Sequence, residues 1–318
     1  MIRSVSRTPQ PAARSFSFSG HETFALRYGW LTKAVEAVGH EPDVFSRDDA
    51  IVRLGVGKNM VRSIRHWGLA TGILEEEAGT RGGLARVSEL GRLLFLEPGG
   101  DPYLEDPATL WLLHWQLLVH PQRLTTWSWT FSSLPSVEFT KEYLVAALIE
   151  AAKRLSRAAP REASVRRDVD VFVRTYVLSR CSEGAVYEDS FDCPLAELEL
   201  LEEVDGVYRL RRGPKPSLPE AVFAFAVTDY WTRTADRRET LSFSDLCYGE
   251  NSPGACFKLD ENSLIDRLEG LEAYTDGDLL YADTSGLKQL YRRVNRPRFE
   301  FLKRHYEEAT VPDKLIGV

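Results

Sequence analysis

The chain concentrates positive charge between residues 50 and 74, where Arg53, Lys58, Arg62 and Arg65 occur without any Asp or Glu. The whole protein of 318 residues, in contrast, carries a formal net charge of −7. Lysine and arginine bond phosphate oxygens, and arginine and asparagine also make paired hydrogen bonds to base edges. A basic face in an acidic chain therefore indicates local contact with nucleic acid and argues against a protein that coats nucleic acid everywhere.

The apolar spacing in this stretch predicts a helix-turn-helix. A short apolar segment ends at residues 55–57, and a second helix is predicted from Lys58 to about Gly72. Its apolar residues recur at helical spacing and are predicted to face a core: Met60, Val61, Ile64 and Trp67. Side chains predicted to contact DNA lie on or near the opposite face: Arg27, Arg53, Lys58, Asn59, Arg62, Ser63, Arg65 and His66. Four cations that neutralise four phosphates predict a roughly 100-fold loss of affinity between 50 and 200 mM salt.

Elements on both sides complete a predicted winged helix-turn-helix domain over residues 16–98. Upstream, an amphipathic helix is predicted from Ser19 to Gly39, and Ser46 with Asp49 indicates a capping box for the next helix. Downstream, two short strands flank a glycine-rich turn, and Ser88 is placed to cap a further helix. Residues 1–15 contain no apolar segment and are predicted to be a disordered tail.

The rest of the chain is predicted to form a helical region, residues 99–180, and a C-terminal region, residues 181–318. Tryptophans and leucines recur through the first of these and indicate helices packed through aromatic side chains. In the second, Asp-Gly turns at residues 205–206 and 276–277 between short apolar segments predict winged-helix-like modules, one near residues 240–294 and a weaker one around 181–213. Within the module near residues 240–294, Asp260 is placed to cap a helix, and a further helix is predicted after residue 284. The predicted fold class is mainly α with small β-hairpins, an α+β protein.

Composition argues against a membrane-spanning protein and against a structural zinc site. No apolar run approaches the ~20 residues that a membrane-spanning helix needs. The four cysteines lack paired C-x-x-C spacing, which argues against a structural zinc site and predicts reduced thiols in a cytoplasmic protein. Cys193 invites a sulfur-relay role, but its neighbours Asp192 and Glu197 oppose a thiolate, so a buried structural cysteine is favoured.

Two places could support phosphodiester chemistry. His21 and Glu22 are adjacent to a predicted helix start, where histidine could act as a general base and glutamate as a metal ligand. The alternative is structural: Glu22 meets the helix dipole and His21 bonds the backbone. An acidic stretch could instead hold magnesium or simply be a solvated connector: Glu183, Glu188, Asp189 and Asp192.

The C-terminal end is also basic, and aromatic residues interleave with its cations over residues 288–306. Such a run could grip a single strand by phosphate pairing and base stacking. Equally, its apolar members could anchor a terminal helix while the arginines remain in water. Residue types alone leave these two interpretations open.

Two long motifs resemble the signature of the SspB family. Residues 18–31 read FSGHETFALRYGWL, and residues 48–61 read DDAIVRLGVGKNMV. Later segments also fit, at residues 192–195, 217–219 and 252–260, so the resemblance covers nearly the whole chain after the tail. One departure is Ala25, where proline is expected. SspB proteins contain a domain of unknown function and are encoded with bacterial single-stranded DNA phosphorothioation systems.

The resemblance implies a DNA nickase of a bacterial phosphorothioation and phage-defence system, dependent on Mg²⁺ or Mn²⁺. The implied partners are DNA, a cysteine desulfurase, an ATPase and a sulfur-transferring enzyme. It places no family catalytic residue on this chain. Two other functions stay open: a non-catalytic DNA-binding subunit that recruits the modification complex, and a transcriptional regulator of the same genomic island. The oligomeric state is also open.

Overall fold

The computed structural model describes residues 16–80, 82–98, 100–120, 122–155, 159–178 and 193–309. Helices dominate these residues, and the strands form three small antiparallel sheets, which confirms the predicted α+β class. The predicted tail, the acidic stretch between Glu183 and Asp192, and Cys181 lie outside the described residues.

The N-terminal part contains four helices and one hairpin. In chain order these are α1 (Trp30–His40), a 3₁₀ turn (Val44–Ser46), α2 (Ala50–Leu54), α3 (Lys58–Ala70), β1 (Leu74–Glu76), β2 (Ala85–Val87) and α4 (Glu89–Phe95). The register pairs Leu74 with Val87. Ser88 caps α4 as predicted, because its hydroxyl accepts from the backbone N–H of Gly91.

Two local predictions in this part are wrong. The first helix begins at Trp30 rather than Ser19, because Gly20, Glu22, Thr23 and Gly29 all have positive φ, which interrupts a right-handed helix. The capping box before α2 is also absent, since its first position, Ser46, ends a 3₁₀ turn and neither predicted member makes a side-chain cap.

The middle part is helical, as predicted. It comprises α5 (Pro107–Val119), α6 (Thr125–Ser132), β3 (Glu138–Phe139), α7 (Lys141–Leu155) and α8 (Glu162–Tyr176). After the undescribed segment come a 3₁₀ turn (Pro194–Leu198), β4 (Leu201–Val204) and β5 (Val207–Leu210), with Asp205 and Gly206 at the predicted turn. The sheet order is β3-β5-β4, so one sheet crosses the boundary predicted at residue 180.

The C-terminal part holds α9 (Glu220–Ala235), β6 (Thr240–Ser242), α10 (Phe243–Tyr248), α11 (Pro253–Cys256), α12 (Glu261–Tyr274), β7 (Leu279–Thr284), β8 (Leu287–Arg292) and α13 (Phe299–Ala309). The hairpin turns at Ser285-Gly286, whereas the predicted turn at Asp276-Gly277 is the exit from α12. The helix predicted after residue 284 is therefore wrong. Asp260 caps α12 through the N–H of Ser263, as predicted.

The same connectivity occurs twice. In each case a helix is followed by an edge strand, by further helices and then by a hairpin. The second strand of the hairpin pairs with the edge strand, so the sheet orders are β3-β5-β4 and β6-β8-β7. In the N-terminal part, the N–H of Ala85 in β2 reaches the carbonyl of Pro42, 2.8 Å away, at the corresponding place. This is the order of elements that winged-helix-like modules require, and their assignment to that class stays a prediction.

One continuous apolar core joins the three parts, from Phe18 to Tyr306. Helix α5 lies within it, with Trp111 and Trp115 fully buried. A smaller cluster of Ala50, Leu54 and Val61 packs α2 against α3. Because the three parts share this core, each part packs against the others and does not have a separate main core. Among the described helices, none combines the length and the apolar character needed to cross a membrane.

Candidate nucleic-acid interface

The N-terminal half of α3 presents a polar face to solvent. Gly55, in the left-handed conformation, ends α2 and lets the chain turn into α3, while Val61, Ile64 and Trp67 bury the opposite face as predicted. Lys58, Asn59 and Arg62 are exposed.

The other two cations of the predicted face already have acidic partners. Arg53 bonds Glu41 at 2.5 Å and Asp49 at 2.6 Å, and these hydrogen bonds raise its pKa, with the bond to Asp49 the largest cause. Arg65 bonds a Glu76 carboxylate oxygen at 2.8 Å and the carbonyl of Gly82 at 2.8 Å. Each partner lies outside the acid-free window of residues 50–74, which is why the window suggested four available cations.

Ser63 does not lie on the exposed face, so this part of the predicted face is wrong, and His66 is only partly exposed. Ser63 is fully buried, and its hydroxyl donates to the carbonyl of His21 at 2.9 Å. His66 lies beneath Gly20, where an added Cβ would fall 2.4 Å from the imidazole Nδ1. Burial lowers the pKa of His66 to about 3, so the ring stays neutral.

Arg27 precedes α1 and packs its guanidinium on aromatic rings. Its central carbon lies 5.4 Å from the ring centre of Phe24 and 5.5 Å from that of Trp30. Stacking of this kind orients the side chain. Arg27 therefore stays a predicted DNA contact.

The segment from Gly20 to Phe24, here called the motif loop, is clamped between α3 and α8. Imidazole Nε2 of His21 lies 2.7 Å from Asp168 Oδ1, and both side chains are buried. The N–H of Thr23 donates to His21 Nδ1 at 3.2 Å, which places the proton on Nε2 and directs it to Asp168. Both ring nitrogens of His21 are thereby engaged, as in the structural interpretation of this histidine.

Two arginines flank the motif loop at the surface. Arg174 of α8 donates to the carbonyl of Thr23 at 2.8 Å, and Arg62 of α3 lies 3.5 Å from the carboxylate of Glu22. Arg174 is exposed, and the Arg62 side chain is 55% exposed. The loop thus joins the polar face of α3 to cations of α8, and Glu22 lies among them.

The motif loop is strained. Glu22 has φ 48° and Thr23 has φ 71°, a conformation that costs roughly 1–3 kcal/mol for each non-glycine residue. Hydrogen bonds from the surrounding protein hold this conformation in place. They include the bonds of His21 and Thr23 described above and the bond that Trp67 Nε1 donates to the carbonyl of Phe24 at 3.1 Å. Strain held in this way is common where a surface is shaped in advance for a ligand.

The described residues do not fit a magnesium centre of their own. Magnesium requires oxygen ligands in octahedral geometry. Glu22 offers one carboxylate, and Arg62 already faces it. The second oxygen of Asp168 is buried without a hydrogen-bond partner among the described residues, but it is enclosed with the ring of His21. Nowhere in the described ranges do three His, Cys, Asp or Glu side chains cluster as metal ligands would.

Asp168 and Arg174 were missed by sequence reasoning because they lie about 150 residues from the motif they hold. One signal was present for Asp168. It falls three residues after Val165 and four before Phe172, both fully buried, so helical spacing places a carboxylate on an apolar face. A carboxylate there requires a buried partner. Nothing in the spacing of Arg174 marks it.

The C-terminal cations and Cys193 favour structural interpretations. Arg292 is only 10% exposed and lies near Asp236, and Arg298 bonds Asp229 at 2.9 Å. Tyr306 is buried, so the apolar side of α13 anchors this end of the chain. Cys193 is 2% exposed, as a structural cysteine would be.

Known proteins resemble this chain in sequence and in fold. The model of a family described as a protein of unknown function (DUF4007) matches residues 18–306. A structure described as "SspB crystal structure" is 32% identical, covers 94% of this chain and 90% of its own, and superposes with a TM-score of 0.83. For a "Magnesium ion-bound SspB crystal structure" the identity is 33%, the coverage is the same and the TM-score is 0.84.

No curated protein matches the chain. The family match nevertheless spans far more than half of the sequence, and both solved structures share its fold over nearly their whole length. The chain therefore belongs to the DUF4007 family and is SspB-like.

Proposed function

We propose that this chain binds DNA and nicks one strand within a DNA phosphorothioation system. The observation that carries the DNA-binding part is the surface formed by α3 and the motif loop. It presents Lys58, Asn59, Arg62 and Arg174 on rigid elements beside a strained loop. Exposed cations next to an asparagine supply both phosphate contacts and a possible base contact.

The system is supported by the likeness to SspB, whose family the sequence motifs also resemble. The partners proposed from this resemblance are a cysteine desulfurase, an ATPase and a sulfur-transferring enzyme. One solved SspB structure holds a magnesium ion, which supports a divalent-metal requirement for nicking, with Mg²⁺ or Mn²⁺ as the ions to test. Because the described residues do not fit a metal centre, no catalytic step is assigned to such an ion here.

Within the proposed reaction the chain's own residues have distinct tasks. Arg62 and Arg174 would hold a backbone phosphate by charge-assisted hydrogen bonds, and such donors also stabilise charge that develops on a phosphoryl oxygen. The side chain of Glu22 is 33% exposed and lies beside Arg62, so its carboxylate would be next to a phosphate bound there. His21 holds the loop in place through Asp168, so it acts as a positioning residue rather than as an open general base.

The engagement of both His21 nitrogens favours a second candidate function, a non-catalytic subunit that recruits the modification complex to DNA. The two functions share the DNA-binding surface and differ only in strand cleavage. A single assay with two readouts therefore separates them.

The experiment incubates supercoiled plasmid with the purified chain in Mg²⁺, Mn²⁺ or EDTA, beside a gel-shift measurement of binding. The variants are Glu22→Gln, Arg62→Glu and a matched control, Lys153→Glu, at an exposed cation of α7. We expect metal-dependent open circles from the wild type and the control. Arg62→Glu should lose both binding and nicking, whereas Glu22→Gln should bind but not nick.

Other results would redirect the proposal. Wild type that binds but does not nick, alone or with its partner proteins, would support the recruitment subunit. Unchanged binding by a folded Arg62→Glu variant would show that DNA meets another surface. Full nicking by Glu22→Gln would remove Glu22 from the reaction.

A further inference from the structure

A small cavity in the C-terminal half of the molecule carries an unbalanced positive charge. It has a volume of about 230 Å³ and lies where the end of α6 meets β5, α10 and α11. Its polar lining includes Lys258, Arg212, Ser132, Ser136 and Tyr248, and the lining residues that the structure describes include no Asp or Glu. We call this cavity the Lys258 pocket.

Lys258 lies at the inner side of the pocket, directly after α11. Its backbone has φ 53°, and its ammonium donates to the carbonyl of Phe131. An ammonium has three donors, so this bond leaves two for a ligand. Burial, together with the charge of Arg212, lowers the pKa of Lys258 to about 8, although the neighbouring Cys256 opposes part of this shift. The pocket thus holds a partly desolvated cation without a matched acidic partner.

Arg212 lies at the exposed rim. Its Nε donates to the carbonyl of Leu259 at 3.3 Å, which fixes the guanidinium near the cavity. Two carboxylates lie nearby. Hydrogen bonds from Ser263, with a contribution from the charge of Arg212, lower the pKa of one of them, Asp260, but both accept hydrogen bonds from other groups. Asp260 accepts from the N–H of Ser263 at 2.7 Å as the cap of α12, and Glu261 accepts from the Tyr248 hydroxyl. Neither is in the lining of the pocket.

We propose that the Lys258 pocket binds a tetrahedral oxyanion, either a free phosphate or sulfate ion or the terminal phosphate of a nucleic-acid strand. A cation that is buried without a counter-charge is costly, and an anion between Lys258 and Arg212 would offset that cost. The hydroxyls of Ser132 and Ser136 already donate to Asn251 Oδ1 and to the carbonyl of Glu138, so Lys258 and Arg212 are the donors on which this proposal rests. A volume below the roughly 300 Å³ of a drug-sized site indicates a group of this size rather than a larger ligand.

This proposal does not depend on DNA binding by α3, since none of the α3 residues lines the pocket. The two ideas can therefore fail separately. Sulfate is the first probe because it is a tetrahedral anion that contains no nucleic acid.

The experiment titrates sulfate into the full chain by calorimetry in a low-salt chloride buffer. Arg212→Gln is the main variant, because an exposed rim residue can be changed without disturbing the core, and Lys258→Met removes the inner cation while keeping an apolar stem. Lys153→Met is the control. We expect saturable binding by wild type and control, and binding at least about tenfold weaker for Arg212→Gln, as for a lost charge-assisted bond.

A second arm separates the two sources of the anion. An oligonucleotide with a 5′-phosphate and the same oligonucleotide without it compete against sulfate, using the Arg62→Glu variant to remove binding through α3. Competition by the phosphorylated strand only would assign the pocket to strand ends, and absence of competition would assign it to the free ion. No saturable sulfate binding by wild type, or equal binding by wild type and both pocket variants, would overturn the proposal.

Discussion

The number of phosphates that α3 neutralises can be measured from the salt dependence of binding. The sequence offers four cations in this region, but the structure leaves Lys58 and Arg62 for DNA and pairs Arg53 and Arg65 with carboxylates. Arg62 has only a 3.5 Å contact to Glu22 and is more than half exposed, so that contact is weak. The structure therefore predicts two phosphate contacts from this set.

Each neutralised phosphate contributes about −0.9 to the slope of log affinity against log salt. Replacing both Lys58 and Arg62 by alanine should make the slope shallower by about 1.8. Between 50 and 200 mM salt, these two contacts account for roughly a tenfold loss of affinity, against roughly 100-fold for four. Arg53→Ala is the matched control and should change the slope by nearly zero, because its charge is already balanced by Glu41 and Asp49.

The assay is fluorescence anisotropy of a labelled duplex at several salt concentrations, with thermal melts to verify that each variant is folded. If Arg53→Ala lowers the slope as much as either Lys58→Ala or Arg62→Ala, Arg53 contacts phosphate despite its acidic partners. If the double variant keeps the wild-type slope, DNA binds another surface of the protein.

Two further predictions concern the buried histidines. Asp168→Ala should destabilise the fold by roughly 1.5–3 kcal/mol, because it leaves the buried Nε2 donor of His21 unpaired, whereas Asp170→Ala, which removes a half-exposed partner of Lys141, should cost under about 1 kcal/mol. Chemical unfolding measures the free energy of unfolding of both variants. Equal losses would contradict a stabilising hydrogen bond between His21 and Asp168. His114 is fully buried, which lowers its pKa to about 3 from 6.5. The unfolded chain then takes up a proton that the folded chain does not, so stability is lost as the pH falls below about 6.5. This histidine should contribute a loss of about 1.4 kcal/mol between pH 7.5 and 5.5, and His114→Gln should remove that part of the pH dependence.

Local chemistry explains what the sequence predicted well. The apolar stripe of α3, the Ser88 and Asp260 caps and the Asp205-Gly206 turn each depend on residues within a few positions of one another. Their structural preferences hold almost regardless of the rest of the chain. The helical middle region follows from the same periodicity.

The failures have a different origin. Residues 19–29 have the apolar spacing of a helix, but bonds to α3 and α8 hold the motif loop in a conformation that no helix allows. The domain boundary at residue 180 stays a prediction, but no pattern in the sequence indicated that β3 and β5 pair across it while about 70 residues apart. Periodicity within a short window carries no information on either point.

The sequence by itself determined that a basic, asparagine-bearing helix follows a glycine turn, and that the chain resembles SspB. Only the tertiary structure decided which of those side chains are available. It turned Ser63 and His66 toward the core, paired Arg53 and Arg65 with acids, and closed His21 against Asp168. Helical phase fixes the direction of a side chain, whereas its availability depends on which distant groups fold against it.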